Sequence, residues 1–338
     1  MLVLTIESSC DETSAAVVRD GREVLSNVVA SQVPIHKRYG GVVPEIASRN
    51  HVRNIQPVVG RCLDQAGVEI DDIDGYGVTS GPGLIGSLLV GIETAKGMAF
   101  SKDRPCVGLN HIEAHLTTVR LDLEEGESPD FPYVGLVVSG GHSDLFVVED
   151  FGEYERLGGT RDAAAGEAFD TVAKMLGLGY PGGIEIDRLA REGNPEAIDF
   201  PRPMWTRENF DFSFAGLKTA VVRYLDEEGM PDEERLPDVC ASFQQAAVDV
   251  LVMKTIEAAI RRGLSRIVIS GGVAANSRLR EEMREAAEEN GIELFVAPVE
   301  LCTDNAAMLG PIAEYYLSNS DATGFTGHRI RARSNAAL

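Results

Sequence analysis

The sequence is short of paired cysteine, of positive charge and of long apolar runs. Its five cysteines, Cys10, Cys62, Cys106, Cys240 and Cys302, include no CxxC pair. An odd number at wide spacing excludes a disulfide framework or a zinc knuckle and fits a reduced, cytoplasmic compartment. Lysine and arginine number 31 against 53 aspartates and glutamates, a net charge of −22. Such a surface repels polyanions at long range and argues against a stand-alone nucleic-acid binder, though not against a local basic patch or a basic partner. No uninterrupted apolar run reaches bilayer-spanning length, so no membrane association is expected. The short apolar run at the N-terminus has no basic residues before it and acids directly after it, which does not read as a signal peptide. With 338 residues, 44% of them hydrophobic, the chain can bury cores for about two domains.

What is present is organised around Val134–Val148. An apolar run of strand length, Tyr133–Val138, is broken by Ser139-Gly140-Gly141-His142-Ser143-Asp144 and resumes at Leu145–Val148. Adjacent glycines let backbone N–H groups converge on a phosphate; taken alone, the stretch reads first as a plain hairpin. The N-terminus repeats the pattern. Leu2–Ile6 runs into the polar turn Glu7–Ser14, and Ala15–Val18 returns before a turn at Asp20-Gly21. A unit repeated at half-chain distance predicts two similar lobes facing one cleft, each supplying a loop to the ligand.

Between these landmarks, a helix is expected over 45–66 with Ile46, Val52, Ile55, Val59 and Leu63 as its buried stripe, after a loop over 31–41. Strand 76–79, the loop Ser80-Gly81-Pro82-Gly83, helix 87–100 and strand 106–109 follow, then an acidic, proline-bearing linker over 123–132. The second lobe should carry helices over 162–176, 184–192, 214–228 and 238–262, and an exposed loop over 194–207. Strand 265–269 then leads into Ser270-Gly271-Gly272-Val273-Ala274-Ala275-Asn276, helix 277–290 and strand 293–298, with a last helix over 304–318 and a mobile tail from Gly327. The expected division is 1–130, 131–327 and a basic tail 328–338. Alternating strands and helices give an α/β class, whose ligands bind beyond the carboxyl ends of strands.

His111 and His115 lie one turn apart on a helix that Asn110 caps, with Glu113 at the capping-box position. A helix N-terminus disfavours a cation, so His111 is expected to be neutral. Two neutral imidazoles at this spacing can hold a metal; two surface histidines are the plain alternative. A zincin has its base directly after the first histidine, whereas Glu113 is displaced by one residue, about 100° around the helix. Metalloprotease chemistry is therefore disfavoured. Asp304 is either a helix cap or a third ligand reaching the histidines from the other lobe. Asp170 either pairs with Lys174 or accepts ribose hydroxyls. Asp187 is equally open, and Asn276 opens a helix. The adjacent acids Asp11 and Glu12 suit a cation, a proton acceptor or a solvated turn.

Eight stretches in order resemble one family. They are Glu7–Thr13, Val43–Arg49, Ser80–Leu84, Asn110–His115, Val138–His142, Gly166–Asp170, Tyr180–Gly183 and Ser270–Asn276. The family is the bacterial tRNA threonylcarbamoyladenosine transferase, TsaD, formerly described as an O-sialoglycoprotein endopeptidase, and the likeness runs from Leu2 to about Gly327. It implies a two-lobed actin-like ATPase fold (sugar kinase, Hsp70, actin; ribonuclease H-like lobes). It implies transfer of threonylcarbamoyl from threonylcarbamoyl-adenylate to the exocyclic N6 amine of the adenosine beside the anticodon, in tRNAs reading codons that begin with adenine. His111, His115 and Asp304 resemble the ligands of one divalent metal, with iron expected and zinc the alternative. Val137, Val138, Ser139, Gly140, Gly141, His142, Asp170, Gly183, Asp187 and Asn276 resemble the adenylate-binding (or ATP/ADP-binding) set, and Asp11 and Glu12 resemble acids needed for activity. The family implies two partners, a paralogous actin-like subunit and a small P-loop ATPase. Ala163, Thr171 and Ile184 depart from the common pattern. A small-molecule kinase and a nucleotide-dependent scaffold on the same fold are the other readings. Metal content separates the scaffold from the rest. Basic residues at His36–Arg38, Arg49, Arg53 and in the tail are expected to form a tRNA-facing strip.

Overall fold

The structure is a computed structural model that describes residues 1–121, 128–206, 208–319 and 329–338. The chain divides into two compact units, residues 1–128 with 303–338, and residues 129–302.

Unit 1 begins with β1 (Leu2–Glu7), β2 (Glu12–Arg19) and β3 (Glu23–Ser31), then α1 (Val33–His36) and α2 (Pro44–Ala66). It continues with β4 (Gly75–Gly81), α3 (Ile85–Lys102), β5 (Cys106–Asn110) and α4 (His111–Thr117). Its sheet has the order β3-β2-β1-β4-β5. β1 pairs antiparallel with β2 and parallel with β4. The central strand is buried over Val3–Glu7, which explains its continuous apolar run.

Unit 2 contains β6 (Tyr133–Val138), β7 (Ser143–Asp150), β8 (Glu153–Gly159), α5 (Ala165–Met175), α6 (Gly182–Ala190) and α7 (Ala215–Glu228). α8 (Leu236–Arg262), β9 (Arg266–Ser270), α9 (Ser277–Glu289), β10 (Glu293–Val296) and α10 (Val299–Cys302) complete it. The order β10-β9-β6-β7-β8 is that of unit 1 read from the other edge. β6 takes the place of β1, antiparallel to β7 and parallel to β9. The repeated strand–loop–strand pattern of the sequence is thus a repeated five-stranded sheet.

Several expectations need correction. Residues 303–338 belong to unit 1, so the second unit ends at Cys302 rather than at 327. The expected linker falls mostly on 122–127, outside the described residues, as does the start of the expected tail up to 328. The last helix, α11 (Gly310–Ser318), starts later than Asp304, after a 3-10 turn at Ala307–Leu309, with Pro311 in its first turn. Residues 329–338 are anchored rather than loose: Ile330 is buried in the unit 1 core, and Arg333 N donates to Ser80 O at 2.9 Å.

The buried face of α2 is Ala47, His51, Ile55, Val58, Val59 and Cys62, while Val52 lies outside it, 65% exposed. The small and polar members Ala47, His51 and Cys62 keep the helical period that a search for large apolar residues misplaces. By length and composition α8 could cross a bilayer, but 83% of its most apolar stretch is buried inside the protein. It is the core helix of unit 2.

Candidate active site

In unit 1, β5 delivers the chain to Asn110, whose Oδ1 accepts from Ile112 N at 2.8 Å and Glu113 N at 3.4 Å. That cap starts α4 and sets His111 and His115 on one face, both buried. The ring Nε2 atoms converge on one oxygen: His115 Nε2 lies 3.2 Å and His111 Nε2 3.5 Å from Asp304 Oδ1. The three donor atoms lie within 4.8 Å of one another. Asp304 comes from the returning segment of the same unit, not from the other lobe as expected. Glu113 Oε1 accepts from Tyr316 OH at 2.8 Å, so α11 engages the residue that a protease reading would need as a base.

The sequence reading missed Glu7. This buried carboxylate ends β1, and its Oε2 is 3.0 Å from His111 Nδ1. A carboxylate at Nδ1 fixes the tautomer that leaves Nε2 free to ligate. An acid at the end of an otherwise apolar central strand was the available signal. Burial alone would push His111 down, but the carboxylates of Asp304 and Glu7 outweigh it and hold its pKa up at about 9. The expectation of a neutral His111 rested on the helix end alone; two close carboxylates act against it. Burial keeps His115 below the ordinary histidine value.

Asp11 is buried and Glu12 half-buried, so this pair is no solvated turn. Burial, then Asp11 and then Asp304, push the Glu12 carboxyl up to about 9. Ser31 Oγ donates to Glu12 Oε1 at 2.9 Å. The five thiols are unpaired, and burial raises all of their pKa values.

In unit 2 the glycine turn after β6 is closed by Ser139 N donating to His142 O at 2.8 Å. A Cβ at Gly140 or Gly141 would meet nothing within 4 Å, so the turn faces open space. Gly166, at the start of α5, donates its N–H to Ser139 O at 3.1 Å. Gly271, after β9, has φ +92°, and a Cβ there would strike Val138 O. Val137, Val138 and the Ser139–His142 turn therefore sit against the start of α5 and the β9 turn.

Asp170 Oδ1 accepts from Gly182 N at 2.6 Å, which ties α5 to the Gly182-Gly183 turn. Asp187 Oδ1 accepts from Ser277 Oγ at 2.7 Å and its Oδ2 from Arg191 at 2.8 Å. Asn276 caps α9 through Leu279 N, as its bland reading expected, and its Nδ2 donates to Gln244 Oε1 at 2.7 Å. A cavity of about 280 Å³ opens beside these residues, lined in part by Arg191, Gln244 and Ser277.

Two α/β units with matching strand order give an actin-like fold, and solved structures agree. Component A of Acidaminococcus fermentans (R)-2-hydroxyglutaryl-CoA dehydratase is 14% identical with a TM-score of 0.56, covering 94% of this chain and all of that one. HypF from T. kodakarensis is 14% identical with a TM-score of 0.63, covering 97% of this chain and 49% of that one. Sequence comparison is more specific. The family model for TsaD, tRNA N6-adenosine threonylcarbamoyltransferase, matches residues 23–310, and the chain belongs to that family. Relatives bearing that name include one from Geotalea uraniireducens (strain Rf4), 56% identical over 96% of this chain and 94% of its own length. Another, from Geobacter sulfurreducens, is 55% identical over 100% of this chain and 97% of its own.

Proposed function

We propose that this chain transfers a threonylcarbamoyl group from threonylcarbamoyl-adenylate to the N6 amine of the adenosine next to the anticodon, at position 37, in tRNAs reading codons that begin with adenine. Family membership carries the reaction class. The convergence of two Nε2 atoms on Asp304 Oδ1 is the observation that carries the site.

His111, His115 and Asp304 would hold one divalent ion. Two imidazoles and one carboxylate suit iron(II) first and zinc second. Such an ion supplies a Lewis acid for the acyl-phosphate side of the substrate. Glu7 holds His111 through Nδ1, so that Nε2 points at Asp304. In the transfer, the N6 nitrogen forms a bond to the carbamoyl carbon and the carbon–oxygen bond to phosphate breaks. AMP leaves with the electron pair, and N6 gives up a proton. The Asp11–Glu12 loop is the proposed destination of that proton. The Val137–His142 turn, Asp170, Gly183, Asp187 and Asn276 bind the adenylate. The open space at Gly140 and the cavity beside Asp187 and Asn276 support that assignment.

A paralogous actin-like subunit and a small P-loop ATPase are the proposed partners, in the cytoplasm. The exposed apolar residues Ile85, Leu89 and Phe100 of α3 support a protein partner on unit 1, and the −22 charge supports dependence on one for tRNA docking. The test is a reconstituted reaction with labelled threonylcarbamoyl-adenylate, unmodified tRNA and both partners. Label in N6-threonylcarbamoyladenosine is the expected product. Labelled adenylate left intact, with phosphate passing from ATP to a small molecule, would instead establish the kinase reading.

A further inference from the structure

His51 belongs to none of the residue sets assigned above, yet it is fully buried on the inner face of α2. Its two ring nitrogens reach both sides of the acidic loop. Nε2 lies 3.0 Å from Cys10 O, and Nδ1 lies 2.8 Å from Thr13 Oγ1. A carbonyl oxygen only accepts, so Nε2 carries the hydrogen. Neutral His51 then accepts at Nδ1 from the Thr13 hydroxyl. Burial favours that neutral form by holding the ring below its ordinary pKa.

The residues between the two contacts are Asp11 and Glu12. Holding these acids out of water beside Asp304 is costly, so an untethered loop would relax by swinging its carboxyl groups into solvent. The flanking backbone is tied by Gln32 N donating to Asp11 O at 3.1 Å, by Leu84 N donating to Ser9 O at 2.8 Å and by the pairing of Glu12 and Thr13 with Ser31 and Ala30 of β3; His51 adds the tie from the α2 side.

We propose that His51 is a positioning residue for the transfer reaction, a two-ended clamp that fixes the Asp11–Glu12 loop from α2 through Cys10 O and Thr13 Oγ1. The proposal rests on the reading of Asp11 and Glu12 as acids needed for activity. His51→Leu removes both contacts, and Thr13→Val removes one without touching the histidine. Glutamine at 51 keeps an amide N–H for the Cys10 carbonyl, and Thr13→Ser keeps the hydroxyl.

In the reconstituted complex, His51→Leu should lower kcat about 10–100-fold, the scale of an ångström-level misplacement. Thr13→Val should act in the same direction. KM for the adenylate and metal content should be unchanged, and His51→Gln and Thr13→Ser should restore most of kcat. Wild-type kcat in His51→Leu, or a loss that tracks metal content or melting temperature across all four variants, overturns the clamp. Amide hydrogen exchange over residues 9–13 gives a readout independent of turnover. Exchange should quicken there in His51→Leu and not across β4 and β5, and unchanged protection also overturns it. If wild-type protein transfers no label to tRNA, the functional reading fails, while exchange still decides whether the clamp exists.

Discussion

Glu7 and Asp304 set two carboxylates against His111, and Asp304 also meets His115, an acidic surround that invites a cation. Glu7 and Asp304 hold the His111 pKa up, so the proposed metal would bind in competition with its proton. His111→Ala should lower metal content and transfer together, and full metal retention in the His111→Ala, Asp304→Ala double variant contradicts the centre. Glu7→Gln leaves the three ligands in place but loosens His111, so metal affinity should fall about 10–100-fold in a chelator competition. An unchanged affinity would make Glu7 a bystander. Glu12 gives the pH test. Its folded pKa, about 9, is raised above the ordinary 4.5, so its contribution favours folding below 4.5 and is lost as pH rises to 9. In metal-free protein, Glu12→Gln should therefore melt about 2 °C or more above wild type at pH 8, with no such advantage at pH 4.5. An advantage equal at both pH values would show that the carboxyl does not titrate as the fold requires.

At the scale of elements, apolar runs identified the strands well because central strands are buried on both faces. The α4 cap was legible for a similar reason: Asn110 and the following spacing act within one turn. The face of α2 was not, because it is built partly from Ala47, His51 and Cys62, and only the packed structure distinguishes them from Val52. His51 and Glu7 escaped notice for the same reason, since their roles depend on atoms distant in sequence. The glycine turn after β6 was legible as a phosphate cradle or a hairpin, and open space beside it now allows a decision. Gly140→Val adds a side chain that meets no protein atom, so the fold should survive while nucleotide affinity drops. Unchanged affinity by calorimetry would reduce the turn to a hairpin. The C-terminal segment is held by Ile330, and Ile330→Ala should cost about 2–5 kcal/mol in denaturant unfolding of unit 1. A loss below about 0.5 kcal/mol would mean that the anchor carries no load.

Over the whole molecule, the duplication was readable because each copy repeats the same apolar and polar order. The division was misplaced because Thr303–Leu338 returns to unit 1 after all of unit 2, and such a return has no local signature. The basic strip also changes: His36 is buried and drops out, while Lys37, Arg38, Arg49, Arg53, Arg329, Arg331 and Arg333 stay exposed on unit 1. Replacing Arg329, Arg331 and Arg333 with Ala should weaken tRNA binding by the assembled complex and flatten its salt dependence, with adenylate binding unaffected. Wild-type rates across subsaturating tRNA would remove the tail from docking. The central claim for this member of the family is the proposed metal centre at His111, His115 and Asp304 of unit 1. Its most direct test is the rate of label transfer from threonylcarbamoyl-adenylate to tRNA by the reconstituted complex, compared between metal-stripped, iron-reloaded and His111→Ala, Asp304→Ala protein. Transfer that vanishes on stripping, returns on reloading and never returns in the double variant is the predicted result; equal rates in all three samples would contradict it.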